Sequence, residues 1–206
     1  MLTELERRII DISYKHKLAH LGSCLTSVGL IESIYESKKK DEPFILSNGH
    51  AGLALYVVLE KHGFGDAEEL FKKYGTHPSR DEEHGIWCST GSLGQGITIA
   101  VGMALSQKER DVYVLSSDGE MGEGSCWEAL RIASENKLEN LKIAVNANGS
   151  SGYGKIDTEW LDSRLQLFYP CLVIRTNLYK FPDWLQGVES HYVVMNEEKY
   201  KEISLC

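Results

Sequence analysis

The feature that most constrains the fold of this chain is a pair of short apolar runs separated by a helical segment. Residues 112–115 (Val-Tyr-Val-Leu) and 141–145 (Leu-Lys-Ile-Ala-Val) are rich in β-branched and aliphatic side chains, which is typical of buried parallel strands. Between them, the spacing of apolar residues predicts a helix from about Glu123 to Lys137. A strand, a helix and a second strand form a βαβ unit. We therefore expect an α/β fold with a mostly parallel sheet and helices on both faces.

The rest of the chain is expected to belong to the same single domain, spanning residues 1–206. A capping box of Thr3 and Glu6 predicts an opening helix that runs to about Lys17, and Ser47-Asn48 offers a cap for a helix that begins near His50. That helix is expected to end near residue 62. Periodicity and capping residues predict further helices near 28–35, 66–74 and 97–105, and two further strands are expected at 172–174 and 192–195. No internal repeat, low-complexity tract or obvious linker divides the chain.

The composition narrows the class of partner and the compartment. A net charge of −8 and a pI near 5.4 argue against nucleic acid, because a phosphate backbone needs a basic surface. The five cysteines are odd in number and widely spaced, with no C-x-x-C pair. We therefore expect reduced thiols in a cytoplasmic protein. The N-terminus lacks the basic-then-apolar order of a signal peptide, and no stretch is expected to span a membrane.

Two polar dipeptides follow the two strands of the βαβ unit. Asp118-Gly119 comes after the first strand, and Asn148-Gly149 comes after the second. Each alone is most simply a turn, since both dipeptides are common turn formers. The carboxyl ends of parallel strands open onto one edge of the sheet, so the two turns are expected to meet there. A carboxylate and an amide oxygen suit Mg²⁺ or Ca²⁺, and the pair together favours a metal site.

A glycine-rich stretch, Thr-Gly-Ser-Leu-Gly-Gln-Gly at 90–96, precedes the apolar helix expected at 97–105. Such a turn presents free N–H groups and the positive end of a helix dipole, which can bind an anion. The glycine order is G-x-x-G-x-G, whereas dinucleotide-binding folds use G-x-G-x-x-G, so an NAD site is not supported. Taken alone, the glycines could equally permit close helix packing.

With these pieces, the sequence resembles the N-terminal, diphosphate-binding domain of transketolases, and most closely the families in which that domain is a separate chain. The resemblance covers roughly the first 165 residues and rests on motifs that occur in the family's order. They are Ala-His-Leu-Gly-Ser at 19–23, Leu-Ser-Asn-Gly-His-Ala-Gly at 46–52, Thr-His-Pro at 76–78, Thr-Gly-Ser-Leu-Gly-Gln-Gly at 90–96, and Ser-Asp-Gly at 117–119 with its distant Asn148. The resemblance implies a thiamine-diphosphate-binding fold.

The resemblance also implies a site in which thiamine diphosphate is held through Mg²⁺, with Ca²⁺ or Mn²⁺ able to substitute. It assigns the metal to the side chains of Asp118 and Asn148 and to the carbonyl of Ser150. The cofactor contacts that it implies are His50, Gly91, Leu93, Gly119, Glu123 and Asn148, with Glu123 at the contact between subunits. His20 and His77 would bind sugar hydroxyls and move protons near the reacting carbon.

The chain departs from the family pattern in two places. Ser117 stands where the family has the first glycine of Gly-Asp-Gly. After about Gln166 the family has another strand and helix around a Gly-His-Asp motif, followed by a late histidine near the cofactor. This section is expected to be shortened here, from about residue 167, and His191 is the candidate for the late catalytic histidine.

The resemblance implies a transketolase-like subunit that transfers a two-carbon ketol unit between sugar, sugar-phosphate or sugar-derivative substrates. In the family, a second domain supplies the glutamate and the aromatic wall that contact the aminopyrimidine ring. We therefore expect a partner chain carrying this pyrimidine-binding domain, in an α2β2 heterotetramer. Two alternatives stay open. One is another thiamine diphosphate reaction, such as 2-oxoacid decarboxylation or deoxyxylulose-phosphate-type condensation, and the other is a non-catalytic cofactor-binding subunit.

Overall fold

A central parallel sheet organises the chain, which is described over residues 1–206 by a computed structural model. The strands are β1 (Phe44–Leu46), β2 (Val112–Ser117), β3 (Leu141–Ala147), β4 (Ser150–Ser151), β5 (Gly154–Lys155) and β6 (Cys171–Arg175). β1, β2, β3 and β6 form a four-stranded sheet in the order β1-β2-β3-β6, and each neighbouring pair is parallel. β4 and β5 pair antiparallel as a separate small hairpin.

Helices connect the strands and cover the sheet. They are α1 (Glu4–His16), α2 (Leu21–Ser37), α3 (Gly52–Lys61), α4 (Ala67–Tyr74), α5 (Gln95–Ser106), α6 (Gly124–Glu135), α7 (Thr158–Phe168), α8 (Glu189–Tyr192) and α9 (Glu197–Ile203). Short 3₁₀ turns lie at Gly49–Ala51, Glu82–His84, Glu120–Gly122 and Asp183–Leu185. No helix combines the length and the apolar character needed to cross a membrane.

The sheet separates two apolar cores. Helices α1, α2 and α3 pack on one face, where Tyr56 is fully buried, and α5, α6 and α7 pack on the other, where Ile97 is fully buried. Consecutive strand residues point to opposite faces of the sheet. Leu115 packs in the core that contains Tyr56, and Val114 packs in the core that contains Ile97. The predicted α/β fold, with a parallel sheet and helices on both faces, is confirmed.

Local capping explains where the opening helix begins. The Thr3 hydroxyl accepts a hydrogen bond from the amide of Glu6, and the Glu6 carboxylate accepts one from the amide of Thr3. This reciprocal pair satisfies two amides that lack partners within the helix. The predicted capping box is present, and the helix ends at His16.

The expected start of the second helix was wrong, since this helix begins at Leu21, ahead of the expected start near residue 28. The third helix, expected at about 50–62, is present at Gly52–Lys61 after a 3₁₀ turn, but its expected cap was wrong. Asn48 makes no capping hydrogen bond through its side chain. The strand expected at 192–195 does not form. Tyr192 ends α8, and the amide of Val193 donates to the carbonyl of Glu189 within that helix end, so no backbone ladder is available.

Two elements had no clear signal in the sequence. Strand β1 has only three residues, too few to display a periodic pattern, although all three are buried. Helix α7 is capped by Asp157, whose carboxylate accepts hydrogen bonds from the amides of Glu159 and Trp160. After α7 the chain turns through Tyr169 and Pro170 directly into the edge strand β6.

Candidate functional site

A cleft of about 940 Å³ opens at the carboxyl ends of β2 and β3. Loops from distant parts of the sequence line it: the segment after β1, the glycine-rich stretch 90–96 (here called the glycine loop), and the turns after β2 and β3. The structure brings all of the site residues predicted from the sequence to this cleft. They are His20, His50, His77, Gly91, Leu93, Asp118, Gly119, Glu123, Asn148, Ser150 and His191.

The carboxylate of Asp118 joins the turns after β2 and β3. Its Oδ1 accepts a hydrogen bond from the amide of Gly119 at 2.9 Å, and its Oδ2 accepts one from the amide of Gly149 at 2.7 Å. In the second turn, the Asn148 side-chain oxygen accepts from the amide of Ser150 at 2.9 Å. Parallel pairing of β2 with β3 therefore places the carboxylate beside the turn that carries Asn148 and Ser150.

The chemistry of this donor set fits a divalent cation. Asp118 is only 2% exposed, and burial raises the pKa of its carboxyl to about 6, against the opposing effect of the backbone amides that bind it. A neighbouring cation would favour the charged form and reverse this shift. The chain holds no group of three or more His, Cys, Asp and Glu side chains that could bind a metal. A metal ion bound here would be held by this one carboxylate together with side-chain amide oxygens, backbone carbonyl oxygens and oxygens of a bound molecule such as a phosphate.

The β4–β5 hairpin closes over the turn after β2. Ser150 pairs with Lys155, and Ser151 pairs with Gly154. A Cβ at Gly119 would lie 3.3 Å from the Cβ of Ser151, so glycine at this position allows the two backbones to approach closely. The hairpin thus holds the Ser150 carbonyl on the segment that faces the Asp118 turn.

Several polar atoms around the cleft are buried without a partner. They include both side-chain atoms of Asn48, Nδ1 of His20 and Oγ1 of Thr90. Asn48 is 1% exposed and lines the cleft. Leaving such a group unpaired costs on the order of 1–3 kcal/mol, so its position is most simply explained by a polar ligand in the cleft. The sequence pattern indicated a helix cap at Asn48, and the resemblance, whose motif at 46–52 contains this residue, assigned it no role in the site.

Three histidine rings lie together at one end of the cleft. The ring of His20 is 5.2 Å from that of His50 and 6.2 Å from that of His191, and the rings of His50 and His191 are 6.3 Å apart. Burial lowers the pKa of all three, that of His50 to about 3 with added repulsion from the neighbouring histidines. Neutral imidazoles can both donate and accept hydrogen bonds near neutral pH.

His77 lies against the glycine loop, near the entrance of the cleft. Gly91 has φ +143°, and a Cβ added there would lie 2.9 Å from the imidazole ring of His77. Glycine is therefore needed at this position for both the backbone conformation and the room beside the ring. His77 itself is exposed, so it can meet a molecule that enters from solvent.

Glu120 is a second buried carboxylate, which the sequence alone did not identify. It is 0% exposed, and its oxygens accept hydrogen bonds from the Ser47 hydroxyl at 2.8 Å, from the amide of Gly94 at 2.8 Å and from the Ser116 hydroxyl. The Ser47 hydroxyl in turn accepts from the amide of Ile97 at 2.9 Å. This network connects the segment after β1, the glycine loop and the turn after β2.

The mouth of the cleft carries exposed side chains of a different kind. Glu123 is exposed there, beside the aromatic residues Tyr153 (100% exposed), Trp160 (60%) and Tyr192 (57%). The guanidinium of Arg164 lies near the rings of Trp127 and Trp160, at 4.6 Å and 4.2 Å from their centroids. Exposed aromatic side chains at the rim of a cleft commonly mark a surface that binds another molecule.

Comparison with known families accounts for most of the chain. The family model described as "Transketolase, thiamine diphosphate binding domain" matches residues 9–171. The chain is similar to a protein of Phocaeicola vulgatus that is named as one subunit of an apulose-4-phosphate transketolase. The identity is 35% over 162 residues, covering 69% of this chain and 57% of that protein. The Actinobacillus succinogenes protein of the same name is 32% identical over 173 residues, covering 72% of this chain and 63% of that protein. The chain thus spans less than two thirds of the length of these relatives.

Solved structures show the same fold. A transketolase from Pichia stipitis superposes with a TM-score of 0.76 and 23% identity, covering 98% of this chain and 39% of that chain. A transketolase from Leishmania mexicana gives a TM-score of 0.67 and 22% identity, covering 84% of this chain and 35% of that chain. At these identities the likeness concerns the arrangement of the sheet and its helices.

Proposed function

Because this chain belongs to the transketolase family, through its thiamine diphosphate-binding domain, we propose that it is the diphosphate-binding subunit of a transketolase-like enzyme. This enzyme transfers a two-carbon ketol unit between sugar, sugar-phosphate or sugar-derivative substrates. The observation that carries the proposal is the meeting of the Asp118 carboxylate with the turn of Asn148 and Ser150, in the cleft that also holds His20, His50 and His191.

The proposed metal is Mg²⁺, with Ca²⁺ or Mn²⁺ as substitutes. Asp118 and Asn148 would bind it through their side chains and Ser150 through its carbonyl, while phosphate oxygens would complete the shell. His50, Gly91, Leu93 and Gly119 would lie against the cofactor. The unpaired amide of Asn48 supports a polar ligand in the same cleft, although a role for Asn48 was not predicted from the sequence.

Thiamine diphosphate, when bound, supplies the carbanion and the electron sink for breaking and forming the bond to the two-carbon unit. The protein residues bind and orient the sugar and move its protons. His20 has a lowered pKa, so its neutral ring can accept a proton from a sugar hydroxyl and return it at the next step. His77 and His191 line the same cleft and are proposed to take part in these proton transfers as well.

We further propose that the active enzyme contains a partner chain with the pyrimidine-binding domain, in an α2β2 assembly. Two relatives are named as single subunits of an enzyme, which supports a second subunit here. The exposed aromatic side chains around the mouth of the cleft also support a protein interface there, because aromatic residues are enriched at interfaces. Glu123, at this mouth, is proposed to lie at the contact between the two chains.

A cytoplasmic location is part of the same proposal. All five cysteines are free, and four of them are buried. Buried free thiols suit a reducing compartment, where disulfides are rare.

The test begins with co-expression of the chain with the product of the neighbouring gene and purification of any complex. Thiamine diphosphate and Mg²⁺ are titrated into the complex by calorimetry, and products are analysed with ketose phosphates and with 2-oxoacids as donors. Ketol transfer to an aldehyde acceptor is the expected result. Decarboxylation of a 2-oxoacid without transfer would establish a different thiamine diphosphate reaction, and cofactor binding without any turnover would establish a non-catalytic role.

The proposed metal site is tested by measuring the affinity for thiamine diphosphate with Mg²⁺ in a complex that carries Asp118→Ala. Charge-assisted contacts each contribute about 1.5–3 kcal/mol, so we expect the affinity for thiamine diphosphate with Mg²⁺ to fall by at least about tenfold. Asp111→Ala is the control, since Asp111 lies before β2, at the opposite end of the strand. Equal affinities in the two variants would refute the proposed metal site.

A further inference from the structure

A short segment near the C-terminus crosses the cleft from its histidine end to the β4–β5 hairpin. We call residues 187–195 the strap; it contains α8, which packs on α2. His191 and Tyr192 are consecutive residues of the strap, and both line the cleft. His191 contacts the start of α2, and Tyr192 contacts the β4–β5 hairpin. The strap therefore connects two parts of the site that are far apart in sequence.

One end of the strap is fixed to the start of α2. The amide of His20 donates a hydrogen bond to the carbonyl of His191 at 3.0 Å. A Cβ at Gly22 would lie 2.5 Å from the Cβ of Ser190, so only glycine allows the strap to seat this closely on the helix. Further along, the side chain of Met195 is 1% exposed, which anchors the strap in the apolar core.

The other contact of the strap reaches the hairpin. The hydroxyl of Tyr192 donates a hydrogen bond to the carbonyl of Gly152 at 2.8 Å, across the cleft. Gly152 lies in the turn of the hairpin, two residues after Ser150. The hairpin otherwise contacts the body of the site through the amide of Gly149 on Asp118 and through the close approach of Ser151 to Gly119.

From these contacts we infer that Tyr192 is a positioning residue that holds the β4–β5 hairpin over the turn of Asp118 and Gly119, here called the metal turn. It thereby keeps the Ser150 carbonyl beside this turn, where its oxygen lies 3.9 Å from a Cβ placed on Gly119. The inference rests on the proposed metal site. Tyr192 is 57% exposed and contributes little to the core, so its hydroxyl can be removed without disturbing the fold. The strap would thereby couple the position of the His191 ring to the geometry of the metal turn.

The test compares the full chain with Tyr192→Phe, which keeps the ring and removes the hydroxyl. The first measurement is hydrogen exchange of the Gly149 and Ile156 amides, whose hydrogen bonds to Asp118 and to the Gly149 carbonyl close the hairpin base. We expect their exchange to accelerate by about 3- to 10-fold, the range for one lost hydrogen bond. The second is the Mg²⁺ affinity of the complex with thiamine diphosphate, expected to weaken by a similar factor while Tm falls by no more than about 2–6 °C, the shift that one lost hydrogen bond predicts.

Tyr179→Phe is the matched control, because Tyr179 is 85% exposed and lies outside the cleft. Exchange rates in Tyr192→Phe equal to those of the control would overturn the inference. Faster exchange with unchanged Mg²⁺ affinity would show that the hydrogen bond from Tyr192 to Gly152, here called the tether, exists but does not position the metal turn. This result would also overturn the inference. If the unmodified complex binds no Mg²⁺, the proposed metal site fails, and with it the positioning role; the exchange measurement then reports only on the tether.

Discussion

The carboxylate of Glu120 accepts a hydrogen bond from the amide of Gly94 at 2.8 Å, which joins the turn after β2 to the glycine loop. The same oxygen accepts from the Ser47 hydroxyl, so the segment after β1 is held as well. A buried carboxylate is stable only when such donors replace its water. Glu120 therefore fixes the relative positions of the loops that carry His50, Leu93 and Asp118.

Glu120→Gln keeps the size of the side chain but places an amide NH₂ among groups that already donate. We expect the free energy of unfolding to fall by about 1–3 kcal/mol, the usual cost of unmatched buried donors. Cofactor affinity should fall as well, because the loops lose their common anchor. Urea unfolding and calorimetry measure the two effects. Glu128→Gln, at an exposed position on α6, should change neither.

Comparison of Asp118 with Glu120 shows what could be predicted from this sequence. Asp118 follows a recognisable strand, and the topology of a βαβ unit alone places it beside the turn of Asn148. Glu120 lies two residues further on, and its burial depends on Ser47 and Gly94, which are contributed by distant segments. No local pattern reports such tertiary contacts, so the sequence alone does not single out Glu120.

The C-terminal part was harder to predict for a similar reason. Residues 192–195 contain tyrosine, valine and methionine, a composition that is typical of a strand. The backbone of the strap is instead used in the hydrogen bonds that end α8, so it cannot pair with the sheet. His191 was singled out only by resemblance to a family pattern. Its place beside His20 and His50 depends on the close seating of Ser190 on Gly22.

The unpaired amide of Asn48 leads to a second prediction, in which stability and binding change in opposite directions. Asn48→Leu replaces a buried polar group without a partner by an apolar one of similar size. We expect the free energy of unfolding of the chain without cofactor to rise by about 1–3 kcal/mol. Affinity for thiamine diphosphate with Mg²⁺ should fall, because the amide is then missing from the cleft.

Asn146→Leu is the matched comparison for this prediction. The Asn146 side chain is also buried, but its amide donates to Thr26 and Ser27, and its oxygen accepts from Thr176. Removing these bonds leaves several hydroxyls unpaired, so this variant should be destabilised. A loss of stability in Asn48→Leu as large as that in Asn146→Leu would contradict the prediction.

Gly91→Ala should affect the position of His77. The added Cβ would lie 2.9 Å from the ring, and alanine is strained at a φ of +143°. We expect a loss of about 1–3 kcal/mol in stability and a fall of roughly 100-fold in kcat/KM for ketol transfer, the scale of a 1 Å misplacement. Gly102→Ala on α5 is the control, since nothing lies within 4 Å of its added Cβ. That control should be stabilised by up to about 1 kcal/mol.

The half-buried position of His50 predicts how the stability of the chain depends on pH. Burial lowers its pKa to about 3 in the folded chain, below the ordinary value of 6.5, so the unfolded chain binds the proton more readily between these two values. The contribution of the neutral ring to stability is fully present above pH 6.5 and is lost as the pH falls toward 3, with a slope of up to about 1.4 kcal/mol per pH unit.

Urea unfolding of the wild type and of His50→Gln isolates this effect, because the carboxylates common to both proteins cancel in the difference. The stability of the wild type relative to the variant should fall by about 1–2 kcal/mol between pH 6.5 and pH 5. A difference that stays constant over this range would mean that the ring accepts its proton equally well in the folded and unfolded chains.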